Sequence, residues 1–191
     1  MMNLAVQPAF DAKSYLVWEE RQAEKHEFIA GEVFARAEAR REHVVVSGNL
    51  AAAFKQRLRG GPCQAYVADL KVRVEAADAF FYPDVVVSCD PRDHAASQFI
   101  AHPTLIVEVL SESTAAFDRG NKFAAYRTLP SLREYVLVDI ETRRVETFQR
   151  TPENDWLFHE YLPGCGECGF PALNVSIPFD EVFENVVPQA G

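Results

Sequence analysis

Residues 80–88 read Phe-Phe-Tyr-Pro-Asp-Val-Val-Val-Ser, and residues 104–110 read Thr-Leu-Ile-Val-Glu-Val-Leu. Three consecutive valines behind Pro83-Asp84, and an unbroken apolar run on either side of Glu108, are the pattern of strands buried on both faces. Each strand nevertheless carries one carboxylate, Asp84 in the first and Glu108 in the second. A carboxylate removed from water is costly, and it either takes up a proton or finds a cationic partner. Two on neighbouring strands repel each other unless a cation lies between them. A hard divalent ion such as Mg²⁺ takes one or two carboxylates together with phosphate oxygens. The bland alternative puts each acid at a strand end, solvated or paired with an arginine. It suits one such residue better than it suits both.

Outward from these strands the chain alternates helix and strand signals. Residues 11–25 are amphipathic, with Tyr15, Trp18 and Gln22 on one face, and 26–37 predict a hairpin turning at Ala30-Gly31. Residues 40–59 set Val44, Val45, Leu50, Phe54 and Leu58 at helical spacing, and Gly60-Gly61-Pro62 stops them. Strands are expected at 64–75 and 80–88, a polar connector at 90–98, and a strand at 104–110. Ser111-Glu112-Ser113-Thr114 predicts a cap for a helix over 115–128. Residues 134–140 and 143–149 predict a strand pair, followed by short strands and turns with a helical turn near 180–185. This order predicts a mixed α+β (α/β) fold, a central mixed sheet flanked by helices. A single domain over 1–191 is expected, with its core at about 11–150 and a strand-and-turn extension over 151–191.

The helix behind Glu108 adds a cation. Lys122, Ala125, Tyr126 and Leu129 share one face, so Lys122 points to the apolar side. Such a lysine either snorkels to water along its stem or stands beside Glu108 as a working ammonium. Asp118 and Arg119 read as cap and surface residues. Glu27, next to Phe28 and Ile29, is a further candidate acid.

The chain has 191 residues, with 19 Lys+Arg against 28 Asp+Glu and a net charge of −9. That balance opposes a protein coated in positive charge for nucleic acid, but the charge is uneven. Residues 141–191 hold three basic residues against nine acidic, whereas 36–73 hold eight against three. The basic band (Arg36, Arg40, Arg41, Lys55, Arg57, Arg59, Lys71 and Arg73) suits phosphate contacts or, equally, a solvated helix face and strand edge. His43 is either a substrate-side or a structural histidine, and the structural reading is preferred. At 48% apolar and 25% charged the composition is globular, not disordered. With no membrane-length apolar run and no signal-peptide core, a cytoplasmic protein with four reduced cysteines is expected. Cys165-Gly166-Glu167-Cys168 has the spacing of a zinc or redox pair. A zinc site needs two more ligands, so a glycine-rich turn is the preferred reading.

Tyr82-Pro83-Asp84-Val85-Val86-Val87, then Ile106-Val107-Glu108-Val109-Leu110-Ser111, then Lys122-Phe123-Ala124-Ala125-Tyr126 form an ordered set. Glu27-Phe28-Ile29-Ala30-Gly31-Glu32, His43, Asp69-Leu70-Lys71-Val72-Arg73-Val74 and Leu132-Arg133-Glu134-Tyr135-Val136-Leu137-Val138-Asp139 extend it. Together they resemble the Uma-type family of restriction-endonuclease-like proteins, within the PD-(D/E)XK nuclease superfamily, over about 11–150. The resemblance implies Mg²⁺, with Mn²⁺ as a substitute, held at Asp84 and Glu108 with the Val109 carbonyl as a third ligand. It implies catalytic roles for Asp84, Glu108, Lys122 and Glu27 in hydrolysing DNA phosphodiesters. It also implies a homodimer, because such nucleases often cut duplexes as pairs. One departure stands out: the superfamily lysine follows the acid by two residues, where this chain has Leu110, and the resembling lysine is displaced to Lys122. Two other classes stay open. A non-catalytic nucleic-acid-binding or interaction protein would bind metal without cleaving, and a hydrolase of smaller phosphoesters would act on mononucleotides.

Overall fold

In the computed structural model, which describes residues 10–36, 39–67 and 69–186, helix α1 (Ala12–Glu19) leads into a hairpin of β1 (His26–Ile29) and β2 (Glu32–Ala35). Ala30 and Gly31 turn it at φ 48° and 91°, the left-handed pair that matches the twist of a tight hairpin. Helix α2 (Arg41–Arg57) follows, then β3 (Gln64–Val67), β4 (Lys71–Val74), β5 (Ala79–Phe81) and β6 (Val85–Ser88). A short α3 (Pro91–His94) and β7 (Phe99–Ile100) precede β8 (Leu105–Leu110). Behind β8 come α4 (Ala115–Phe117), a π turn (Asp118–Lys122) and α5 (Phe123–Tyr126). The chain closes with β9 (Glu134–Asp139), β10 (Arg144–Arg150), β11 (Trp156–Tyr161), β12 (Glu167–Phe170), β13 (Val175–Pro178) and α6 (Phe179–Val182).

These strands build a six-stranded sheet in the order β11-β10-β9-β8-β6-β3, a five-stranded sheet in the order β2-β1-β5-β4-β7, and the hairpin β12-β13. In the larger sheet β8 and β9 are parallel, and the other pairs are antiparallel. Helix α2 covers one face of it, packing Val46, Leu50 and Phe54 on Val85, Val87, Val107 and Val136. On the other face Val86, Ile106 and Leu137 meet Val72 and Phe81 of the smaller sheet, with Tyr126 and Leu129. Both faces of β6 and β8 are therefore covered, which is what their valine and leucine runs require. The far face of the smaller sheet holds α1 through Tyr15, Phe28 and Phe80. Beyond residue 150, β11 continues the larger sheet, and Phe170, Ile177 and Phe179 pack in the α2 core. The mixed α+β architecture is the one expected.

Four local expectations are corrected. The segments 64–75 and 80–88 each divide between the two sheets. Pro83 has no N–H to give a ladder, so β5 ends before it in the smaller sheet and β6 begins after it in the larger. Likewise β3 stops at Val67 and β4 starts at Lys71. The helix after Glu108 ends at Tyr126, and no Thr114 side chain caps it; the Ala115 N–H donates to the Ser111 carbonyl at 2.9 Å instead. Cys63 and Cys89, expected as thiols, form a disulfide. Gln64 pairs with Ser88, so the next step of that register sets the two cysteines face to face. Cys165, exposed, and Cys168, buried, are free. No helix among the described residues is long and apolar enough to cross a membrane.

Candidate active site

Antiparallel pairing of β6 with β8 sets Val85 against Val107, and one step further the same register sets Asp84 against Glu108. The Asp84 N–H donates to the Val107 carbonyl at 3.2 Å, holding the residue to the strand past the break at Pro83. Asp84 Oδ2 accepts the Val109 N–H at 2.7 Å and lies 3.2 Å from His43 Nε2. Asp84 Oδ1 accepts from Arg36 Nη2 at 3.4 Å. His43 comes from the first turn of α2, and Arg36 follows β2. Both lie within the basic band of the sequence, and both turn inward to one carboxylate.

Glu108 Oε1 lies 2.9 Å from Lys122 Nζ and accepts from the Tyr126 hydroxyl at 3.1 Å. The same ammonium reaches Glu27 Oε1 at 3.0 Å and Asp118 Oδ1 at 3.5 Å. Asp118, Lys122 and Tyr126, spaced by four, all point inward from the π turn and the helix that follows it. A π turn widens the helix locally and recurs at functional sites. The Tyr135 hydroxyl donates to the Asp118 carbonyl at 3.0 Å, anchoring the turn to β9. Glu27 arrives from β1. Its neighbour Phe28 faces α1, so strand alternation aims Glu27 at the opposite side, toward Lys122. Glu27 Oε1 also accepts the Tyr82 N–H at 3.2 Å.

Glu27, Glu108 and Lys122 thus converge in one buried cluster, Asp84 stands opposite Glu108 on the adjoining strand, and none of the four is more than 6% exposed. Lys122 does not snorkel; carboxylates hold it. Asp118, read as a cap, is buried in the cluster, and Arg119 pairs with Glu146 rather than standing free. His43, read as structural, and Arg36, read only as part of a basic band, both contact Asp84. The signal available for Asp118 was its four-residue spacing to Lys122 and Tyr126. Nothing local pointed to Arg36, which lies 48 residues from Asp84.

The two strand acids sit in opposite electrostatic settings. Burial pushes the Asp84 carboxyl up, but His43, the Val109 N–H and Arg36 together outweigh it and hold the group below its ordinary range. Burial drives Glu108 well above its ordinary value; Lys122 opposes this, while Asp118, Asp84 and Glu27 reinforce it. Asp118 is raised by burial, against the pull of Lys122 and the Thr114 hydroxyl. Burial works against charge on Lys122, yet Glu108, Glu27 and Asp118 overcome it and raise its pKa. Three carboxyl groups here face one ammonium. Among the described residues no three His, Cys, Asp or Glu side chains form a closed metal cage. Mg²⁺ needs none, because it binds through one or two carboxylates and keeps its other positions for water and phosphate. Hard carboxyl oxygen donors fit such an ion and do not fit a thiolate-seeking metal.

A family model described as "Uma2: Putative restriction endonuclease" matches residues 12–170. An uncharacterized protein of Synechocystis sp. strain PCC 6803 is 41% identical over 154 residues, covering 81% of each chain. A second uncharacterized protein of that organism is 35% identical over 177 residues, covering 92% of this chain and 100% of its own. Among solved structures, the crystal structure of "a putative nuclease belonging to DUF820" from Anabaena variabilis ATCC 29413 superposes with a TM-score of 0.74. The alignment covers 91% of this chain and 97% of that one at 11% identity, a likeness of fold.

Proposed function

The chain belongs to the Uma2 family, and from that premise we propose that it is a divalent-metal-dependent endonuclease that hydrolyses phosphodiester bonds in DNA. The observation that carries this reading is the buried pairing of Asp84 with Glu108 across β6 and β8, with the Lys122 ammonium 2.9 Å from Glu108. Asp84 and Glu108 would hold Mg²⁺ or Mn²⁺. Val109, whose N–H already points at Asp84, turns its carbonyl to the same side, as extended strands require, and is the third ligand of this reading. A divalent ion there would supply Lewis-acid polarisation of the scissile phosphate and would lower the pKa of a bound water.

The protein's own groups do the rest. The Val109 N–H, His43 and Arg36 keep Asp84 ionised and fixed, so the ligand needs no reorganisation. Lys122, held on three carboxylates, presents a positive charge where negative charge develops during attack, or orients the attacking water. Glu27 and Asp118 position that ammonium. Tyr126 fixes the Glu108 carboxylate through its hydroxyl, and the apolar residues around the cluster raise the strength of every charge interaction inside it. On a duplex, two copies acting one per strand complete the cut.

The test is nicking of supercoiled plasmid with Mg²⁺ or Mn²⁺. Wild-type protein is expected to convert the plasmid and Asp84→Ala to lose most of that activity. Equal cleavage by the two proteins would overturn the site. An independent readout is thermal melting. Mn²⁺ near 100 times its dissociation constant stabilises a binding-competent fold by about 2.7 kcal/mol, and Asp84→Ala should lose the shift.

A further inference from the structure

Tyr82 stands between two cations beside the acidic cluster. His26 pairs with Ala35, Phe28 with Phe80 and Val72 with Phe81, so the ends of β2, β1, β5 and β4 come level. Arg36, Tyr82 and Lys71 follow one another along that margin of the smaller sheet, next to Asp84. The Arg36 guanidinium carbon lies 5.6 Å and the Lys71 ammonium 5.3 Å from the Tyr82 ring centroid, both as cation–π contacts. Tyr82 itself is immobile. It is fully buried, its hydroxyl donates to Glu19 Oε1 at 2.9 Å, and its N–H donates to Glu27. Glu19 is already engaged, accepting the His26 N–H at 2.8 Å and facing the His26 ring at 3.2 Å.

Among the described residues Lys71 has no such partner. It is half-buried, and its hydrogen bond among the described residues is to the Tyr82 hydroxyl at 3.4 Å, the long limit of such a bond. Burial lowers its pKa, and the nearby acids Glu19, Glu20 and Asp69 only partly restore it. An ammonium held half out of water without a paired anion is a site that gains by meeting one. Arg36, although paired with Asp84, keeps donors to spare. Its contact with Asp84 is 3.4 Å long, and a guanidinium has five N–H donors to offer.

We infer that Lys71 and Arg36 form a phosphate step, two cations straddling Tyr82 that seat a nucleic-acid backbone and lead one phosphodiester to Asp84. The inference rests on the nuclease reading and deepens it by naming the groups that hold the substrate. The ligand chemistry is that of consecutive non-bridging phosphate oxygens. The 5.6 and 5.3 Å contacts put the two cations no more than about 11 Å apart, with Arg36 next to Asp84, so the pair can meet neighbouring phosphates of one backbone. Lys71 acts there as a point charge and Arg36 as a planar fork, so the pair fixes position without reading bases.

The experiment is fluorescence anisotropy of the full chain with fluorescein-labelled duplex and single-stranded oligonucleotides, titrated with salt in Ca²⁺ buffer. Lys71→Gln should weaken binding and lower the slope of log affinity against log salt by about 0.9 on duplex or about 0.7 on single strands. Across a fourfold change in salt that is a difference of about threefold. Lys71→Arg should restore the slope, and Lys13→Gln, an exposed site on α1, should not move it. If Lys71→Gln does not fold, Arg36→Gln is read the same way. A wild-type slope and affinity in the Gln variants overturns the inference and leaves the nuclease reading untouched. Wild-type protein that binds through Lys71 yet never nicks plasmid supports the inference and defeats the nuclease. Wild-type protein that does neither overturns both.

Discussion

Glu134 makes a sharp test of how burial sets charge in this fold. It opens β9 on the face it shares with Val136 and Val138, which pack beneath α2. Its side chain is 0% exposed. Oε2 accepts the Ala172 N–H at 3.1 Å, while Oε1 has no partner among the described residues. Burial, partly offset by that N–H, pushes the carboxyl from 4.5 to about 7. In the unfolded chain the same group releases its proton near 4.5. Between the two values the native state keeps a proton that the unfolded state has lost, so stability is full below the lower value. It falls as pH rises through the window and levels off above about 7. A gap of about 2.5 units is worth about 3.4 kcal/mol, of which about 2.5 kcal/mol falls between pH 5 and pH 8. Glu134→Gln keeps an acceptor for Ala172 and never ionises. Urea unfolding followed by tryptophan fluorescence across that range should show the variant gaining about 2.5 kcal/mol on the wild type, or about 5–10 °C in melting temperature. A variant-to-wild-type difference that stays constant with pH would refute the reasoning.

Two further perturbations test the electrostatics and the covalent frame. Lys122→Met leaves Glu27, Glu108 and Asp118 without their shared ammonium and should cost about 3–5 kcal/mol at pH 8. The cost should shrink as pH falls, because burial holds the Glu108 and Asp118 carboxyls above their ordinary values and a proton removes the uncompensated charge of each. A urea midpoint that does not shift would contradict the buried ion cluster. The Cys63–Cys89 bond closes a loop of sequence separation 26, for which chain entropy gives roughly 3.5 kcal/mol. Reduction or Cys63→Ser should lower the urea midpoint accordingly, and alkylation of unfolded protein should label two thiols before reduction and four after. Four labels without reductant would show the pair unbonded.

Much of the site was legible because it breaks a local rule. An acid inside Leu-Ile-Val-Glu-Val-Leu, or ahead of three valines, is anomalous wherever the strand is buried, and Asp84 and Glu108 stand out on that ground alone. The inward aim of Lys122 followed from helical spacing to Ala125 and Tyr126, and the hairpin at Ala30-Gly31 from turn chemistry. Asp118 was misjudged because an aspartate near a helix start has an ordinary use as a cap, and only the π turn buries it. His43 and Arg36 were hidden for another reason. Their target lies more than 40 residues away in sequence, and a basic residue on a helix turn or strand end has no local feature that names its partner. The division of 64–75 and 80–88 between two sheets escaped for the same reason: periodicity states which residues alternate, not which sheet receives them.

The amino-acid order by itself determined the broad succession of strands and helices, which of their faces are apolar, and that carboxylates would be carried into the core. Those properties depend on near neighbours and on the periods of strand and helix. Tertiary structure alone decided which charge meets which. Lys122 joins Glu27 of β1 and Glu108 of β8, Arg36 and His43 converge on Asp84, and Cys63 meets Cys89. Lys71 is left beside Tyr82 with no carboxylate in its grasp among the described residues. Coulomb energy and hydrogen bonding depend on ångström distances between segments far apart along the chain, and only the stacking of two sheets across a common core brings those segments together.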